Sequence, residues 1–91
     1  MLYMLINRTR TDLSAEEYEH LGKLAQSFYD NVPEGLSLKG DWRAEDNSCT
    51  FALLEAESPE LLERTQAPFR PYVDIEVIPV IPVSGWGGTK D

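Results

Sequence analysis

The chain has 91 residues, enough for one domain whose single core is only modestly stable by itself. Sixteen acidic side chains against eight basic ones give a net charge of −8, and such a surface repels nucleic acid and anionic membranes, whose binding needs clustered Lys and Arg. An apolar fraction of 42% marks an ordinary globular chain, and the one cysteine, Cys49, excludes an internal disulfide and fits a reducing cytoplasm.

Leu2 to Arg8 is a short apolar run of strand formers and predicts the first strand. It lacks a basic flank and is too short for a secretory signal core, and no stretch approaches the length of a membrane span. Ser14-Ala15-Glu16-Glu17 has the form of a capping box, with Ser14 as N-cap and Glu17 reaching back to it. Behind it Tyr18, Leu21, Leu24, Ala25 and Phe28 recur at helical spacing, so a helix follows that ends before Pro33. Pro33-Glu34-Gly35 is turn chemistry.

Leu36 to Arg43 alternates as a second strand, with Leu36, Leu38, Gly40 and Trp42 in one phase. The loop Ala44-Glu45-Asp46-Asn47 implies antiparallel pairing with a third strand over Ser48 to Glu55. That strand carries apolar residues in both phases, as the first does, so these two are expected to be central. Ser58-Pro59-Glu60 starts a second helix, which Pro68 stops, and Ala67 to Tyr72 is a stiff link. Val73 to Ile78 alternates as strand four, with a short edge extension through Val80 and Ile81. Residues 1–80 form the expected single domain and 81–91 a flexible tail.

The order βαββαβ with antiparallel pairing predicts an α+β sandwich: a four-stranded sheet in the order 4-1-3-2, both helices on one face. The other face would then expose an apolar patch from the two central strands, which monomers rarely tolerate, so a homodimer is expected.

The βαββαβ order, the tract Pro33-Glu34-Gly35-Leu36 leading to Gly40-Asp41-Trp42, and the closing Val73-Asp74-Ile75-Glu76-Val77-Ile78-Pro79-Val80 resemble a family of small bacterial proteins of unknown function. That family is assigned to the dimeric α+β barrel superfamily, with a ferredoxin-like fold. The resemblance covers residues 1–80 and implies a barrel closed by two copies. Relatives in the superfamily include cofactor-free antibiotic-biosynthesis monooxygenases, muconolactone isomerase, chlorite dismutase-like haem proteins and ligand-sensing domains, so the fold alone does not give the function.

His20 is the one side chain whose ordinary pKa lies near neutrality, which makes it the default acid–base candidate. It stands on the flank of the first helix with Glu16 one turn earlier, and without an orienting partner it also reads as a surface histidine. One His, one Cys and scattered carboxylates supply no metal-ligand spacing, and no motif calls for a cofactor. Cys49 reads as a buried structural thiol, since no basic neighbour in sequence lowers its pKa. Asp74 and Glu76 share one phase of strand four and read as its solvated face.

Tyr3, Asn7, Trp42, Arg43 and Phe51 lie on strands that should border the barrel interior or its mouth. Aromatic walls with a few polar groups suit a small organic ligand, whereas Trp42 and Phe51 also fit plain core or dimer-interface packing. Two function classes follow: a module that binds a small organic ligand, or, as the alternative, a cofactor-independent monooxygenase or isomerase acting on a small cyclic or aromatic compound.

Overall fold

The computed structural model describes residues 1–83. Residues 84–91, which include Trp86 and most of the tail expected over 81–91, lie outside the described residues. Both helix starts form as their sequence signals require. Ser14 Oγ accepts from the Glu17 amide at 3.1 Å and the Glu17 carboxylate accepts from the Ser14 amide at 2.8 Å, a complete capping box that opens α1, Ala15–Asp30. Ser58 Oγ accepts from the Leu61 amide at 3.2 Å and Pro59 occupies the first turn of α2, Pro59–Gln66. A 3₁₀ turn, Ala67–Phe69, continues α2 into the proline-stiffened link.

Four strands complete the chain: β1 Leu2–Thr9, β2 Leu36–Arg43, β3 Thr50–Ala56 and β4 Val73–Val80. All pair antiparallel in the order β2-β3-β1-β4, which read from the other edge is the expected 4-1-3-2. β1 and β3 are therefore the central strands. Strand β4 ends at Val80, so the extension through Ile81 does not form. Cys49 precedes β3 as a half-buried free thiol rather than sitting inside the strand.

The helix-facing side of the sheet carries Tyr3 and Leu5 of β1, Leu54 and Ala56 of β3, and Leu36 of β2, all buried and joined by Leu62 of α2. The turn before β2 depends on Gly35, whose φ of +90° is open to glycine and where a Cβ would lie 2.7 Å from the Glu57 side chain. The other face carries Leu2, Met4 and Ile6 beside Leu53 and Phe51, all half-buried in the single chain. Trp42 and Ile78, 55% and 37% exposed, extend this apolar face on either side.

The single alternation drawn along β2 breaks at a bulge between Leu38 and Gly40. Leu36 and Leu38 pair with Ala56 and Leu54 on the helix side, whereas Gly40 and Trp42 pair with Leu53 and Phe51 on the open face. The extra residue shifts every later side chain of β2 to the opposite face. It turns Asp41 and Arg43 toward the helices, in register with Ala52 and Thr50. The Trp42 ring lies back over Gly40, where a Cβ would come within 2.3 Å of its tip, so any larger residue there would push the ring off this site.

Candidate functional site

Helix α1 has an apolar stripe, yet none of its residues is buried. Leu21, Leu24, Ala25 and Phe28 are only half-covered, because a cavity of about 470 Å³ separates the helix from the sheet. Leu21, Phe28 and Tyr29 of α1 form its roof, with Gln66 and Phe69 at the side. Leu5, Leu38, Ala52 and Leu54 make an apolar floor.

Polar side chains gather where the floor runs out toward the ends of β1 and β2. Asn7, Thr50 and Arg43 form one row across three adjacent strands, since Thr50 pairs with Asn7 on one side and with Arg43 on the other. Asn7 Nδ2 donates to Thr50 Oγ1 at 3.5 Å, while Asn7 Oδ1 is buried without a hydrogen-bond partner. A buried amide oxygen left unpaired costs about 1–3 kcal/mol. Arg43 is exposed and belongs to none of the ion pairs among the described residues, in contrast to Arg8, Arg10, Lys23 and Arg70.

At the rim the Tyr29 hydroxyl donates to the Asp41 carboxylate, tying the last turn of α1 to the bulged segment of β2. This hydrogen bond, then partial burial, then the Asp41 charge push the Tyr29 phenol up to about 12. Because the folded value exceeds the ordinary ~10, the tie contributes fully below about pH 10 and is lost as pH rises through about 12. Ultraviolet titration, taken as the difference from Tyr29→Phe, should show a midpoint near 12 that falls toward ~10 in Asp41→Asn. An unchanged midpoint in Asp41→Asn would refute the tie.

The residues singled out from sequence divide by face. Asn7 and Arg43 border the cavity from the helix side, whereas Trp42 meets only its edge and carries its ring on the open face over Gly40. Tyr3 is buried in the core beside Leu54, and its hydroxyl donates to the Met1 sulfur at 3.4 Å. Phe51 lies on the open face opposite Ile6 and borders a shallow depression at the β2–β3 hairpin. His20 is exposed on α1, away from the cavity lining, with its ring edge-on to Tyr72 at 5.6 Å. Among the described residues no three His, Cys, Asp or Glu side chains converge as metal ligands, and no helix is long and apolar enough to cross a membrane.

Tyr29, Thr50 and Gln66 were not singled out from sequence. Tyr29 sits at the edge of the helical stripe next to Phe28, and Thr50 is an ordinary strand residue, so neither carries a local signal. Only the bulge, which alternation conceals, puts Asp41 and Arg43 beside them.

Comparison with known proteins places the fold. The chain is similar to SCO4226 from Streptomyces coelicolor A3(2), with 15% identity, a TM-score of 0.53, and 92% of this chain and 99% of that one covered. It is similar to Rv0793 from Mycobacterium tuberculosis, with 12% identity, a TM-score of 0.52 and coverage of 91% and 98%. A dabb family protein with a ferredoxin-like fold from Mesorhizobium loti matches with 11% identity, a TM-score of 0.51 and coverage of 91% and 98%. At these identities the likeness is one of fold. No curated protein matches the chain. A family model described as "Domain of unknown function (DUF3303)" matches residues 1–89, and the chain belongs to that family.

Proposed function

We propose that this protein binds a small organic molecule in the cavity beneath α1 and works as a homodimer that covers the open sheet face with a second copy. The observation that carries the binding reading is the placement of α1. An amphipathic helix without one buried residue roofs about 470 Å³ instead of packing down on the sheet. A half-open space of this kind leaves the apolar side chains of its roof and floor facing solvent, so a mostly apolar ligand that covers them gains by displacing water. Its size falls within the ~300–1,000 Å³ of small-molecule sites, and its mostly apolar wall with a few polar groups at one end has their composition.

Support for the dimer comes from the half-buried apolar face of β1 and β3, which an isologous contact would hide on both copies at once. A free thiol as the one cysteine agrees with a cytoplasmic setting. The catalytic alternative, a cofactor-independent monooxygenase or isomerase, has less behind it. His20 lies outside the cavity lining, and Tyr29 keeps its proton to about 12 and so is a poor base near neutrality.

Leu5, Ala52 and Phe28 line the cavity, so their amides report on it. Titration of the isotopically labelled chain with neutral phenols and quinones should shift these amide signals saturably. Ala52→Leu, which adds volume to the cavity floor, should abolish the response while the protein stays folded. No response, or one that Ala52→Leu leaves intact, would overturn the reading.

A further inference from the structure

The apolar floor says little about which molecule enters, but the polar end does. Three groups there have unused hydrogen-bonding or charge capacity. Asn7 Oδ1 is a buried acceptor with no donor, because the Asn7 Nδ2 already points at Thr50. Rotating the amide by a half-turn would exchange the two atoms and still leave one end of it unpaired. Thr50, accepting that bond, sits midway along the row. Arg43 closes the row as a guanidinium outside every ion pair among the described residues of a chain with net charge −8. Asp41, the carboxylate two residues away, is taken up by the Tyr29 hydroxyl rather than by Arg43.

Spacing turns these groups into a specification. Asn7 is on β1 and Arg43 on β2, with β3 between them. Neighbouring strands lie ~4.8 Å apart, so the two backbones are roughly 10 Å apart across the row. A short amide side chain at one end and a long guanidinium at the other leave room for a single ring between a donor and an anion. A donor and an anion on opposite sides of the ring match that span better than a pair on adjacent ring atoms.

We propose that the cavity selects a small cyclic hydroxy acid whose hydroxyl and carboxylate stand on opposite sides of one ring. The hydroxyl donates to Asn7 Oδ1, the carboxylate pairs with Arg43, and the ring lies on the floor of Leu5, Ala52 and Leu54 under Phe28. This rests on the ligand-binding reading above and adds the ligand's polar pattern to it. Charge-assisted bonds made at the edge of an apolar slot are among the stronger ones, and a planar guanidinium suits a carboxylate.

The test is a set of titrations of the isotopically labelled full chain, followed by amide chemical shifts, with 4-hydroxybenzoate, 2-hydroxybenzoate, benzoate and phenol. The 4-isomer should bind at least ~10-fold more tightly than each of the other three, as one added hydrogen bond to a charged or buried partner predicts. Arg43→Gln should weaken 4-hydroxybenzoate and benzoate by ~10-fold and leave phenol unchanged. Asn7→Leu removes the orphaned oxygen, so it should keep the fold and erase the advantage of 4-hydroxybenzoate over benzoate. Phenol binding as well as the 4-isomer, or an Arg43→Gln protein with unchanged preference, would overturn the hydroxy-acid assignment while leaving the cavity a ligand site. Binding by none of the four would overturn both.

Discussion

Truncating Leu62 of α2 to alanine should destabilise the fold by about 3 kcal/mol, whereas truncating Leu21 of α1 should cost only about 1 kcal/mol. Leu62 is 3% exposed and packs into the cluster of Tyr3, Leu5 and Leu54. Its removal leaves a void that the neighbours cannot fill, and both the transfer and the cavity cost are incurred. Leu21 hangs over the cavity and is half-covered, so its loss removes few contacts and enlarges a space that is already present. A domain of this size has about 5–14 kcal/mol in total, so the Leu62 substitution alone removes a large share. Urea unfolding at one fixed protomer concentration measures both, since the proposed dimerisation would make apparent stability depend on concentration. Equal losses would mean that α1 is packed as firmly as α2 and would remove the main argument for a ligand cavity.

That asymmetry between the helices was hidden in the sequence, although much of the fold was not. The starts of α1 and α2 are written in Ser14, Glu17, Ser58 and Pro59, local signals that need no tertiary context. The central positions of β1 and β3 follow from apolar residues in both phases, because only strands covered on two sides gain from that pattern. The bulge after Leu38 left no such trace, since Lys39-Gly40-Asp41 reads equally well as unbroken alternation. Everything beyond it changed face, and with it the placement of Arg43 beside Thr50 and Asn7. The cavity itself lies between elements distant in sequence. An apolar stripe reads the same whether it packs against a sheet or roofs a space.

Placing a charge at Leu53 should convert the proposed homodimer into a monomer. Leu53 lies at the middle of the open face, paired with Met4 on one side and Gly40 on the other. In an isologous contact each copy would bury its own Leu53→Glu carboxylate, so the interface would take in two unpaired charges of the same sign. Each uncompensated buried charge costs about 3–5 kcal/mol, and at ~1.4 kcal/mol per decade the dissociation constant should rise by roughly a thousandfold or more. Light scattering at micromolar concentration should then report a fall from twice 10.3 kDa to 10.3 kDa. Glu16→Lys, on the exposed first turn of α1, adds a charge change away from the sheet and should leave the mass at the dimer value. Salt separates this from a merely electrostatic effect. The Arg8–Glu76 pair on the same face is more than half exposed at both ends, so exposed pairs like it contribute little and are screened, and salt should not restore the dimer. A Leu53→Glu protein that stays dimeric would put the interface elsewhere. A wild-type chain that is monodisperse at 10.3 kDa would mean that the apolar face of β1 and β3 stands open in solution.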